Sequence, residues 1–444
     1  MSMSATELCL TQRCFNWAAL DANEREALLQ RPTQSVSSEL KATVDAIIAA
    51  VRSEGDTAVV RYTQQFDCAD LTTLRYPSER IAAQLAKLDA RTKAAIDTAY
   101  GTIRKFHAAQ QPQNIRLETA PGIECELRYT PMNAVGLYIP GGTAVLPSTA
   151  LMLGVPAQLA GCPRVVLVSP PNQQGELAPA LLYAAQKCGI TEIYRCGGAQ
   201  AIAALAYGTE SIAKVNKIFG PGNSFVTAAK QAVSQDPAGA AIDMPAGPSE
   251  LMVIADSGAN PAYVAADLLS QAEHGADSQV LLLTDSDTQL AAVQQQLAQQ
   301  LAQLSRASTA AQALANSALI QVRDLAEAVS ISQSYAPEHL SVQTANAEQL
   351  AEQLTNVGSL FIGAFTPESG GDYATGTNHV LPTYGFADTV SSLGLLDFYR
   401  RYTSQKATRE GLAGLADAIV ALAEAEGLDA HARAVTVRLQ ESDS

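Results

Sequence analysis

An α/β fold with two parallel-sheet units, a helical N-terminal region and a helical C-terminal arm is predicted by three observations. Beyond about residue 130, short apolar runs that read as strands alternate with stretches whose apolar residues recur every three or four positions. The strand runs, such as Val165-Val166-Leu167-Val168 and Leu251-Met252-Val253-Ile254, are apolar throughout, as in parallel sheets covered on both faces. The alternation comes in two successive series, so the chain divides into residues 1–130, 131–240, 241–380 and 381–444. Two such series have the form of a duplication, although no strong sequence repeat accompanies them.

Residues 1–130 read as mainly helical. Ser38 to Arg52 and Asp56 to Phe66 carry apolar residues at helical spacing, punctuated by Gly55 and Asp56. Ser78 to Ala109 is a longer helical stretch stopped before Pro112, and His107 reads as a histidine on its surface. From Ile123 the period changes, and Ala134 to Ile139 is a buried-strand run. In the first series Val165–Val168 precedes a helix at Leu177–Cys188, Glu192–Tyr194 one at Ala199–Ala206, and Val215–Phe219 one at Ser224–Val233. The second series runs through Leu251–Ile254, Val280–Leu283, Leu319–Ile320, Leu340–Val342 and Leu360–Ile362. Gln289 to Gln303 between them reads as an amphipathic crossover helix, with too few heptads for a coiled coil. Ser404 to Gln440 reads as a helical arm with polar faces.

Composition narrows the function. The net charge of −15 argues against nucleic acid and against an anionic membrane surface. No apolar run is long enough to span a bilayer, and Met1 to Arg13 lacks the pattern of a secretory signal. The seven cysteines (Cys9, Cys14, Cys68, Cys125, Cys162, Cys188, Cys196) show no CxxC spacing, so reduced thiols in a cytoplasmic protein are expected. Of five histidines, four lie in the second half: His274, His339, His379 and His431.

Ser270-Gln271-Ala272-Glu273-His274-Gly275 ends the helix expected from Pro261. Gln271 and His274, three apart, share a face there and offer an amide oxygen and an imidazole to a divalent cation such as zinc. Taken alone, this stretch reads first as a plain helix C-terminus with His274 near the dipole. Asp372 adds a hard anionic ligand in the Gly/Thr-rich loop Gly370 to His379, which is either solvated or held by a ligand. Glu426 and His431 stand five apart around a helix break, and Gln271, His274, Asp372 and His431 together complete a four-ligand nitrogen/oxygen site. Glu338-His339 is an acid–base pair if Pro337 keeps both in a turn, because neighbours on a strand face opposite ways. Glycine-rich junctions at Pro140-Gly141-Gly142, Cys196-Gly197-Gly198 and Gly220-Pro221-Gly222 suit a phosphate or a tight turn. None is a GxGxxG fingerprint. Cys196 is either a thiol nucleophile of the aldehyde-oxidising type or a small buried turn residue, the expected role.

With Ile242-Asp243-Met244-Pro245-Ala246-Gly247-Pro248-Ser249-Glu250, the Ser270–Gly275 stretch, Pro337–Leu340 and Gly371–Thr383, the chain resembles the histidinol dehydrogenase family from about Tyr138 to His431. The resemblance implies NAD-dependent oxidation of L-histidinol to L-histidine through the aldehyde, closing histidine biosynthesis. It implies one zinc per active site on Gln271, His274, Asp372 and His431, with Glu338 and His339 as acid–base residues. Ser249, His379 and Glu426 would contact substrate, and Tyr138, Gln200 and Asn223 the nucleotide. Incomplete Rossmann-like domains and a homodimer that exchanges its C-terminal arm are implied as well. A zinc hydrolase using Glu338 as water base, and a nucleotide sensor without turnover, are the competing readings.

Overall fold

The computed structural model describes residues 12–32, 38–141, 146–244 and 247–440. Gly142 of the first glycine-rich turn, and Pro245 and Ala246 of the 242–250 motif, lie outside the described residues, as does Cys9.

The first sheet is parallel, with strands in the order Glu192–Arg195, Arg164–Ser169, Ala134–Tyr138, Lys217–Phe219, Ala241–Ile242. Numbered along the chain, that order is 3-2-1-4-5, a Rossmann sheet without its sixth strand. The second sheet repeats it with Ala318–Gln321, Gln279–Thr284, Glu250–Ala255, His339–Gln343 and Ser359–Ile362, all parallel. Cys14–Asn16 from the N-terminus extends this second sheet beside Ala318–Gln321. The two parallel-sheet units expected from the sequence are therefore present with one topology used twice.

Both sheets are buried on both faces, as the unbroken apolar runs require. In the first, Val166 and Val168 enter one core while Leu167 enters the other. Helices Ser38–Glu54 and Asp56–Phe66 cover the first of these faces, and Ala90–Ala108 and Pro147–Ala160 cover the second. These helices from Ser38 onward thus belong to the first unit's packing. In the second sheet Leu251 and Val253 face Val264 and Leu268 of helix Pro261–Ala272, whereas Met252 and Ile254 face the Trp17 and Leu28 side.

Three expectations need correction. The stretch from Ser78 is two helices, Ser78–Leu85 and Ala90–Ala108, because Asp89 caps the second by accepting from Thr92 N–H at 2.8 Å. Ser404 to Ala407 is not helical: it ends strand Tyr399–Ala407, which pairs antiparallel with Ile123–Pro131 in a three-stranded sheet with Ile115–Ala120. His107 is fully buried, its Nδ1 against the Ile103 carbonyl at 2.9 Å and its Nε2 3.3 Å from Asn378 Nδ2.

Candidate active site

The segment 243–249 joins the C-terminal edge of the first sheet to the N-terminal edge of the second. Seven residues span at most about 25 Å, which bounds the distance between the two strand ends that the segment joins. Candidate groups gather along both edges.

On the second sheet's edge, helix Pro261–Ala272 starts with Asn260 accepting from Ala262 N–H at 2.9 Å and with Pro261 in its first turn. It returns antiparallel to its strand and ends at Ala272, so Gln271 in its last turn and His274 in the turn just past the Glu273 cap come to this edge. The His274 N–H bonds the Gln271 carbonyl at 3.2 Å, which carries the turn past the helix end, and His274 stands exposed there. Strand Ser359–Ile362 leads into a short helix, Glu368–Tyr373, that carries Asp372. Gly370 to Tyr373 is therefore helical and not loop, with Gly371 and Asp372 buried. Asp372 Oδ2 stands 3.7 Å from His274 Nε2.

Gln271 is fully buried, and neither its amide oxygen nor its amide nitrogen has a hydrogen-bond partner. Such an orphan is costly unless something else fills its coordination. An amide oxygen three residues before an imidazole that stands 3.7 Å from a carboxylate supplies donor types that suit a divalent cation. His339, Glu368 and Asp372 also place one ligand atom each within 4.8 Å of one another. Glu368 escaped the sequence reading, although its position four before Asp372 is a helix-face signal once the segment is known to be helical. Its Oε2 accepts from Ser270 Oγ at 2.6 Å, and its Oε1 is buried without a hydrogen-bond partner.

Glu338 lies in the bend before strand His339–Gln343 while His339 begins the strand, so the pair is not held in a turn as expected, yet the two side chains still meet at the strand's start. Glu338 Oε2 is 3.5 Å from His339 Nδ1. The Glu250 N–H donates to the same Oε2 at 2.7 Å, and His339 Nδ1 donates to the Glu250 carbonyl at 3.0 Å. With Nδ1 so engaged, Nε2 faces Glu368 Oε1 at 3.8 Å and Asp372 Oδ1 at 4.0 Å. Burial alone would lower the His339 pKa, but the Glu338, Glu368 and Asp372 carboxylates outweigh it and lift it to about 10. Burial, and then the neighbouring Glu368 charge, raises Asp372 to about 7. His379 donates from Nδ1 to the Asp372 carbonyl at 3.0 Å, and burial drops its pKa to about 4, keeping it neutral. Ser249, half-buried, directly precedes Glu250.

The first sheet's edge holds the three nucleotide candidates. Tyr138 ends its strand, and its hydroxyl accepts from Gly198 N–H at 3.2 Å. Helix Gly198–Tyr207 begins without a side-chain cap, and Gln200 in its first turn is buried with both amide atoms unpartnered. Asn223 caps helix Ser224–Gln235 through its side-chain oxygen, accepting from Phe225 and Val226 N–H at 3.1 Å. Gly220 before it has φ +122°, and a Cβ there would collide with the Tyr138 carbonyl. A buried Lys230–Asp243 ion pair braces the turn, with Asp243 accepting from Gly220 N–H at 2.7 Å. An uncapped helix start and an orphaned amide are groups a dinucleotide can satisfy.

Glu426 and His431 are not in this cluster. Both stand exposed on the hairpin of helices Arg409–Ala425 and Asp429–Leu439, which packs on the Gly122 turn of the three-stranded sheet. Cys196 is fully buried and burial pushes its thiol far up, which opposes a thiolate role. Cys196→Ala is expected to keep full conversion to the acid. A variant that releases aldehyde and forms no acid would reverse that assignment.

A family model described as histidinol dehydrogenase matches residues 29–439. The histidinol dehydrogenase of Idiomarina loihiensis is 63% identical over 424 residues, covering 96% of each chain. That of Colwellia psychrerythraea is 56% identical over 433 residues, covering 97% of this chain and all of its own. The crystal structure of histidinol dehydrogenase from Elizabethkingia anophelis is 46% identical, with TM-score 0.92 over 96% of this chain and 98% of that one. With the fold matched over nearly the whole length, the chain belongs to the histidinol dehydrogenase family.

Proposed function

We propose that this protein is an oxidoreductase of histidine biosynthesis that oxidises L-histidinol to L-histidine through L-histidinaldehyde, with NAD as the hydride acceptor. The observation that carries the reading is the His274–Asp372 approach next to the Glu338–His339 pair, with the buried, unpartnered Gln271 amide three residues before His274, in a member of this family. The balance requires two NAD and one water per histidinol, giving histidine, two NADH and three protons.

Gln271, His274 and Asp372 would hold zinc, with His431 of the partner subunit as the fourth ligand. Bound zinc would supply a fixed pole for the substrate amine and imidazole, and a counter-charge that lets His339 shed its proton. His339 accepts the alcohol proton at Nε2 as hydride leaves the carbon. Its Nδ1 bond to the Glu250 carbonyl keeps the ring in the tautomer that leaves Nε2 free. The aldehyde must be hydrated before a second hydride can leave. Glu338 is the base for that water, and His339 again takes the hydroxyl proton. Ser249, His379 and Glu426 of the partner subunit contact the substrate. Tyr138, Gln200 and Asn223 hold the nucleotide at the opposing edge.

The homodimer reading draws support from the arm. Helix Arg409–Ala425 is rich in Leu, Ile and Val, yet only Gly411 and Ala423 are buried, and Leu422 is 66% exposed. Its faces are thus less polar than expected from the sequence. Apolar surface on an appended hairpin fits a second subunit. No helix among the described residues is long and apolar enough to cross a membrane; a cytoplasmic location is part of the proposal.

The test is a count. Zinc-loaded protein with histidinol and NAD should form two NADH per histidine. No NADH at all removes the reading and leaves the hydrolase or sensor; NADH without histidine leaves an alcohol dehydrogenase that stops at the aldehyde.

A further inference from the structure

We propose that Arg31 is a positioning residue for the Glu338–His339 pair, acting through Glu250. The inference rests on the acid–base reading above. Glu250 is the first residue of a strand buried at every position, an expensive place for a carboxylate. Its peptide groups grip both members of the pair, the N–H on Glu338 Oε2 at 2.7 Å and the carbonyl on His339 Nδ1 at 3.0 Å. Where Glu250 sits therefore decides where both side chains point.

Arg31 fixes Glu250 from 219 residues away, with Nε on Oε1 at 2.6 Å and Nη2 on Oε2 at 3.0 Å. That two-pronged geometry belongs to a guanidinium and cannot be reproduced by an ammonium. Nη2 also donates to the Tyr335 carbonyl at 2.7 Å, and the guanidinium lies over the Tyr335 ring at 3.8 Å. The Tyr384 N–H completes the cradle, donating to Glu250 Oε1 at 2.7 Å.

A second observation comes from the backbone. Among the described residues, Ala336 (φ 50°) and Tyr384 (φ 58°) are the non-glycine residues with left-handed conformation, and both border this cluster. Tyr384 supplies the N–H on Glu250, and the Ala336 carbonyl lies 3.4 Å from Arg31 Nη2, two residues before Glu338. Strained backbone survives where its surroundings over-determine it, and such sites gather around function. A staple that merely tied the N-terminus to the second sheet would need neither the grip on the pair nor this geometry.

The experiment compares zinc-loaded wild type, Arg31→Met, Arg31→Lys and His339→Asn, each checked for folding by its urea midpoint. In folded Arg31→Met, kcat should fall about 10- to 100-fold, the usual cost of losing an orienting partner, with KM for histidinol and NAD unchanged. Arg31→Lys keeps the charge and loses the fork, so its kcat should lie between the two. A structural staple would instead lower the urea midpoint and leave kcat alone. If Arg31→Met does not fold, Arg31→Lys decides: lowered kcat at unchanged KM supports the proposal, and wild-type kcat overturns it. Inactive His339→Asn beside fully active Arg31 variants defeats this inference only. Active His339→Asn defeats the acid–base reading itself.

Discussion

Glu338→Gln is expected to oxidise histidinol to the aldehyde and then stall, releasing one NADH per substrate instead of two. The geometry makes the substitution clean. A glutamine at 338 retains an oxygen for the Glu250 N–H, which now donates at 2.7 Å, so the loop keeps its place. What disappears is the basic carboxylate. Only the second half of the reaction needs an activated water, so that half should slow by about 10²- to 10⁴-fold, the range for a lost general base. His339→Asn removes Nε2, which both halves use, and both should fall by a similar factor. Supplying histidinaldehyde directly separates the cases. Glu338→Gln slowing histidinol and histidinaldehyde oxidation equally would show that Glu338 serves His339 alone. The 3.5 Å approach of its Oε2 to Nδ1 gives that outcome its structural form.

The same pair illustrates what a sequence conveys and where it stops. Continuous apolar runs carry both parallel sheets, because a strand covered on both faces has no polar position to disguise it. The i, i+3 relation of Gln271 and His274 survives as a backbone bond in the turn after the helix, which stops at Ala272. Strand Tyr399–Ala407 was hidden by Arg-Arg-Tyr-Thr-Ser-Gln-Lys: only Tyr399 and Ser404 are less than exposed, and its register is set by Ile123–Pro131 far upstream. His107 was hidden for the same reason, as its partner Asn378 lies 271 residues away. Glu368 gave no signal while Gly370 and Gly371 made the segment look like loop. Arg31 has no local mark at all, because its significance lies entirely in the side chain it meets. Local periodicity is legible; pairings made at long range are not.

His431 is the extreme case, since its expected partners lie on another molecule. Each zinc site is expected to take Gln271, His274 and Asp372 from one chain and His431 of the partner subunit. Alone, His274→Ala and His431→Ala should each lose essentially all activity, as each removes a ligand from every site. Mixed in one dimer they behave differently. If sites are shared across a two-fold axis, one site collects both lesions and the other collects none. In a random mixture half the dimers are hybrid, each with one intact site of two, so about a quarter of wild-type activity should return. Zinc content offers a readout independent of turnover, with one full site per hybrid dimer. If instead the arm folds back on its own subunit, every site in the hybrid keeps a lesion and nothing returns. The exposed position of His431, and the unburied leucines of the helix before it, favour the first result. Verified hybrids without activity or regained zinc would refute the exchange and place the fourth ligand elsewhere, with Glu368 the first candidate because it already stands with His339 and Asp372.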